Sequence, residues 1–157
     1  SGDTPLTIDE NGIYLYQGNV VIKNFLNNIS RCAVDFDIKI NSNGTSRYPQ
    51  WRRALTIDNL NLGVHYSGNY TTNKFFFEML GNISFESISP TKSTYADEKF
   101  HHITVYFDVK NQFILAYTDN QDPIAMKYNA NDGSNIYIGD DNYGLNGYIK
   151  NLVIKEI

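Results

Sequence analysis

From Cys32 to Ile40 apolar and charged residues alternate: Val34, Phe36, Ile38 and Ile40 share one parity, and Asp35, Asp37 and Lys39 share the other. Successive side chains of a strand point to opposite faces, so this period of two predicts a strand with one buried and one wet face. The pattern returns from Phe100 to Asp108, where Ile103, Val105 and Phe107 alternate with His102, Thr104, Tyr106 and Asp108. Val109-Lys110-Asn111-Gln112 is a short polar connection into the apolar run that begins at Phe113, and the two runs together predict a hairpin. Further strands are predicted over 13–16, 19–22, 54–57, 62–66, 75–80, 83–88, 136–139 and 145–154, with turn signals at Asn11-Gly12 and Gly81-Asn82. Gly139 and Gly147 bracket the last two strands, where the chain needs positive φ or a close backbone approach. No apolar run keeps a helical period. Roughly ten to twelve short strands, spaced about ten residues apart, predict an all-β, antiparallel two-sheet β-sandwich that fills residues 1–157 as a single domain.

The last third of the chain carries a more specific series. Phe100, His102, Ile103 and Val105 are followed by Tyr117-Thr118-Asp119, by Ile138-Gly139, and by Gly147, Ile149, Leu152 and Ile154. This order resembles the C-terminal half of concanavalin A-like jelly-roll domains of the laminin-G and pentraxin-like kind. Phe100 stands where Trp is commoner in that series, and Asn120 where Gly is commoner; Asn tolerates the left-handed turn conformation better than other non-glycine residues. The resemblance implies a jelly roll and a structural role for His102. It implies no single activity, because lectins, hydrolases and adhesion modules share this fold.

Composition narrows the partners. A chain of 157 residues is long enough to bury about 70% of its unfolded surface in one core. Its aromatic share of 14%, mostly 12 Tyr and 9 Phe, favours strands. With a net charge of −4 and no stretch rich in Lys and Arg, the chain lacks the basic face that tracks phosphates, so no nucleic-acid partner is expected. No apolar run approaches the length of a membrane-spanning helix, and membrane insertion is not expected. Cys32 is the single cysteine, which excludes an internal disulfide and reads as a buried thiol at a strand start. Such a chain fits maturation in a reducing compartment before display outside the cell or on a virion.

Candidate chemistry is sparse. Glycoside hydrolases of the sandwich type place paired carboxylates along one strand; Asp35-x-Asp37 has the spacing that puts two acids on one face, but no third acid follows. His101 and His102 are adjacent and so fall on opposite faces of a strand, which argues against a shared metal. Asp140-Asp141-Asn142 is an oxygen-rich turn without the spacing of a dedicated calcium loop. No catalytic residue, metal or cofactor is expected. The strongest recognition segment is Arg47-Tyr48-Pro49-Gln50-Trp51-Arg52-Arg53, a loop running into a strand, which holds the only Trp. Sugars stack an apolar ring face on aromatics and are fixed by guanidinium and amide groups, and Arg pairs bidentately with a carboxylate such as that of sialic acid. His65-Tyr66 with Tyr70 forms a second patch that joins the first if the two strands pair. The competing reading makes Trp51 a core residue and the arginines solvated. Asn28, Asn43, Asn69 and Asn82 head four Asn-x-Ser/Thr sequons, which carry glycans only on a secretory route.

These readings predict a lectin-like domain that recognises a cell-surface glycan for host-cell attachment, as part of a larger, oligomeric surface or spike protein. In composition and size the chain also resembles the receptor-binding heads of enteric virus spikes, the rotavirus-like ones included. The alternative is a laminin-G-like protein-interaction module that uses its rim loops, with calcium.

Overall fold

A computed structural model of the chain describes residues 7–15, 18–25, 27–41, 51–57, 60–66, 73–79, 82–87, 98–119, 122–127, 135–140 and 146–157. Among the described residues every regular element is a strand. In chain order they are β1 (Thr7–Asp9), β2 (Gly12–Tyr14), β3 (Val20–Ile22), β4 (Arg31–Ile40), β5 (Trp51–Ile57), β6 (Leu60–Tyr66) and β7 (Asn73–Met79). After these come β8 (Asn82–Ser87), β9 (Phe100–Asp108), β10 (Phe113–Thr118), β11 (Ile124–Lys127), β12 (Ile136–Ile138) and β13 (Gly147–Glu156).

The strands form two antiparallel sheets, one in the order β1-β2-β13-β4-β9-β10-β11 and the other β3-β12-β5-β6-β7-β8. The alternation predicted for β4 sets the core: Val34, Phe36, Ile38 and Ile40 are fully buried, joined by Ile103, Val105 and Phe107 of β9 and Ile149 of β13. The second sheet closes the same core with Ala54, Leu55, Ile136 and Ile138. Cys32 is part of it, and burial pushes its thiol up to about 11, so it is an inert packing residue.

Two strands were not legible in the sequence. β1 and β11 are edge strands of three and four residues, too short for alternation to register. β5 also starts earlier than predicted, at Trp51 rather than Ala54, and Trp51 to Arg53 therefore belong to a strand and not to the preceding loop.

Local chemistry fixes the turns. Between β9 and β10 the Asp108 carboxylate accepts the Asn111 side-chain and backbone N–H groups at 2.9 and 2.8 Å. Those bonds from Asn111, with Arg31 Nε at 3.2 Å, hold the Asp108 carboxyl below the usual range. At the far end of β10, Asp119 adopts φ 50° and its carboxylate accepts the His102 backbone N–H at 2.9 Å while facing His101 Nδ1 at 2.9 Å. The Tyr-x-Asp step of the sequence is thus a clasp that ties β10 back onto β9. Gly139 takes φ 79° at the end of β12, whereas Gly147 answers a close approach. A Cβ on Gly147 would overlap the Lys39 carbonyl oxygen of β4, and one on Gly12, itself at φ 111°, would overlap the Ile149 carbonyl oxygen of β13. Both glycines let β13 sit between its neighbours.

A polar network crosses the solvent side of β13, β4 and β9. Register pairs Asp37 with His102 and Asp35 with Thr104. His102 Nδ1 lies 2.7 Å from Asp37 Oδ1 and its Nε2 lies 3.0 Å from Asp35 Oδ1. Thr104 Oγ1 donates to Asp35 Oδ2 at 3.0 Å, and Asn151, at φ 54° in the β13 bulge, donates to Asp37 Oδ2 at 2.8 Å. The hydrogen bond to Asp37 raises the His102 pKa, helped by the charge of Asp35 and opposed by partial burial. Partial burial pushes the Asp37 carboxyl up, but hydrogen bonds from Asn151 and His102, with the nearby charge of Lys150, outweigh it and hold it low.

Gly147→Ala is expected to lower stability by about 1–3 kcal/mol through the backbone overlap, or roughly 3–10 °C in thermal unfolding, while Lys155→Ala on the exposed side of the same strand stays within about 0.5 kcal/mol. The His102 network gives a pH signature. A raised histidine pKa contributes stability that is fully present below the unfolded value near 6.5 and is lost as pH rises through the folded value. The lowered Asp37 pKa contributes stability above about 3.9 that is lost as pH falls through the folded value. The network is therefore strongest at mildly acid pH. Because the His102 side chain is 49% exposed, the effect is about 0.5–1 kcal/mol. Unfolding scans between pH 5 and 8 should show wild type losing roughly 1–4 °C relative to His102→Gln as pH rises; parallel curves would remove the network as the cause.

Candidate functional site

Trp51 and His65 lie in different predicted patches, and the β5–β6 ladder brings them together as direct cross-strand partners. Arg52 pairs with Val64 and Arg53 with Gly63; past a bulge between Arg53 and Leu55, Leu55 pairs with Leu62 and Thr56 with Asn61. On the other side of β6, His65 pairs with Lys74, Gly63 with Phe76 and Asn61 with Glu78. These ladders organise the sheet into rows. Leu55 is fully buried, which assigns core parity to Leu62 and hence to Val64 and Tyr66 on β6. Asn61, Gly63 and His65 occupy the alternate, outer parity. The rows Trp51–His65–Lys74, Arg53–Gly63–Phe76 and Thr56–Asn61–Glu78 are therefore register positions of the outer face, and Arg52 and Tyr66 fall in rows of core parity.

The sequence candidates thus divide. Trp51, Arg53 and His65 share one face by register, and Arg52 and Tyr66 alternate with them. Arg47, Tyr48 and Tyr70 lie outside the described residues. The same outer face continues onto β12 and β3, where Thr56 pairs with Tyr137 and Tyr137 with Val21. Tyr137 and Val21 are exposed. Sequence reasoning passed over Tyr137; the signal available was its position between Ile136 and Ile138, both core.

The residues weighed for catalysis and metal binding have other occupations. Asp35 and Asp37 do share a face, as their spacing implied, but both are bonded to His102. A general acid needs a carboxyl raised towards neutrality, and that of Asp37 is held low. His101 and His102 turn to different carboxylates, Asp119 and the Asp35–Asp37 pair. Among the described residues no group of three or more His, Cys, Asp and Glu side chains is arranged to hold a metal ion. Asp140 is half-buried at the end of the β12 turn, and Asp141 and Asn142 lie outside the described residues. Beside the His102 network, Lys39 Nζ sits 5.1 Å from the ring centres of both Phe100 and Tyr148, and Lys150 Nζ 3.8 Å from that of Phe100. Asp35, Asp37, His102, Lys39 and Lys150 thus find partners within the sheet.

No protein-family model and no curated protein sequence matches the chain. Solved structures do. The carbohydrate-binding module CBM66 from Bacillus subtilis superposes with a TM-score of 0.54 at 15% identity, covering 97% of this chain and 91% of that one. A toad ovary galectin in complex with thio-digalactose gives 0.52 at 13% identity, over 87% and 98%. Domains LG4-5 of the mouse laminin alpha1 chain give 0.53 at 11% identity, over 90% of this chain and 40% of that one. At these identities the likeness is one of architecture. The two antiparallel sheets, their shared core and these neighbours show that the chain has the fold of the concanavalin A-like jelly-roll β-sandwiches.

Proposed function

We propose that the chain is a non-catalytic carbohydrate-binding domain that recognises a cell-surface glycan through the outer face of its six-stranded sheet. It acts in host-cell attachment, outside the cell or on a virion surface, as part of a larger surface or spike protein. The observation that carries the reading is the pairing of Trp51 with His65, with Arg53 one row away on the same face. An indole, an imidazole and a guanidinium within two register rows of one sheet are the groups that sugar recognition uses: an aromatic plate, a hydrogen-bonding group, and a fork suited to a carboxylate. The architecture shared with a carbohydrate-binding module and with a galectin that holds thio-digalactose supports the same class.

The likeness to laminin LG domains supports a second reading, a protein-interaction module whose rim includes Asp140. A glycan array separates the two when probed with the purified domain, with and without calcium, alongside Trp51→Ala and Arg53→Ala. The lectin reading expects defined hits, independent of calcium, that weaken roughly 30-fold or more in Trp51→Ala, the loss typical of a central aromatic anchor. Hits that survive both substitutions would keep the lectin and move its site. An empty array under both conditions would end the carbohydrate reading and send the search to a protein partner.

A further inference from the structure

The outer face of the six-stranded sheet does not end at the Trp51 row. At its β3–β12 end a second aromatic stands in the open: Tyr137 is 37% exposed between the buried Ile136 and Ile138. It occupies the row Val21–Tyr137–Thr56–Asn61–Glu78, which crosses five strands. The ring is tethered. Asn135 Nδ2 donates to the Tyr137 hydroxyl at 3.3 Å, and Asn135 Oδ1 in turn accepts the Asn24 backbone N–H at 3.0 Å. Asn24 is itself fixed at φ 58° in the turn after β3. An exposed ring held at its hydroxyl by an anchored amide, with Val21 beside it, is a stacking plate with a hydrogen-bonding group at its rim.

Its distance from the first plate sets the size of the ligand. Counted along β6, four positions separate the His65 row from the Asn61 row, a span of about 13 Å at ~3.3 Å per residue. Tyr137 lies one strand to the side of β5, which adds a lateral step of ~4.8 Å and puts the two aromatic positions about 14 Å apart on the same face. No single sugar ring touches both.

We infer that Tyr137 and Asn135 form a second subsite and that the ligand is an extended oligosaccharide lying along β5 from the Trp51–His65 row to Tyr137. This inference rests on the glycan reading above and adds ligand length to it. Two plates joined by one ligand act by effective concentration, so each sugar residue that reaches the second plate raises affinity without any change at the first. Asn135 orients the ring, and the ring supplies the contact area.

The test is calorimetric titration with the strongest-binding array glycan trimmed to one, two, four and six sugar residues. Wild type, Tyr137→Ala, Tyr137→Phe and Asn135→Ala are compared. Wild type is expected to gain about tenfold or more between two and six residues. Tyr137→Ala should abolish that gain and leave the disaccharide affinity unchanged, which also shows that the variant is folded; Tyr137→Phe should keep most of the gain, and Asn135→Ala part of it. Affinity independent of length, or a gain undiminished in Tyr137→Ala, overturns the second subsite alone while a site lost in Trp51→Ala stands. An array with no glycan hits overturns the subsite together with the reading it extends.

Discussion

The sandwich depends on β4. Nine consecutive residue pairs join it to β9, from Arg31–Asp108 to Lys39–Phe100, and an interrupted ladder joins it to β13 on the other side. With both edges occupied and one face buried, its register has no freedom: a slip of one residue would carry Val34, Phe36, Ile38 and Ile40 into solvent and Asp35, Asp37 and Lys39 into the core. Removing charges from water without partners costs several kcal/mol each, far more than any surface contact returns. The hydrophobic face of β4 therefore fixes the seven-stranded sheet, and that sheet fixes where the second one packs.

The two outer faces then take on different characters. On the seven-stranded sheet, alternation sends Asp35, Asp37, His102 and Thr104 to the solvent side, where register makes them neighbours and they bond one another. Asn151 joins them because the β13 bulge turns it there. The His102 network on this face responds to pH through the opposed shifts of His102 and Asp37, and beside it the exposed Tyr106 packs edge-on against Tyr117. On the six-stranded sheet the outer rows carry Tyr137, Thr56 and Val21 at one end and the register positions of Trp51, Arg53 and His65 at the other. Of these outer positions, Tyr137 and Val21 are exposed side chains.

Several readings made from residues alone hold in the folded chain for identifiable reasons. Strands β4 and β9 were legible because each is long enough for alternation to show and has only one buried face, and β10 as an apolar run. The β9–β10 hairpin was legible because its connection is short and polar, and Asp108 with Asn111 turns out to build it. Gly147 could be marked as a point of positive φ or close approach, but not that it is the latter, nor that the atom approached is the Lys39 carbonyl oxygen. The early start of β5 was hidden because Trp51-Arg52-Arg53 carries no alternation and follows a polar stretch. Of the recognition candidates, Trp51 and His65 were chosen for their chemistry, but their adjacency awaited the β5–β6 ladder.

The sequence by itself determined the kind of element, the parity that faces the core and the chemistry of the local turns, since all three follow from side chains close together in the chain. Only the tertiary structure decided which strands are neighbours beyond the local hairpins and in what register, hence that His102 lies between Asp35 and Asp37 and that Tyr137 shares a face with the Trp51 row. The reason is that strand pairing is made by backbone N–H and C=O groups, which are the same at nearly every residue. Their partners are selected by how two whole sheets close over one core, and no local stretch of sequence contains that information.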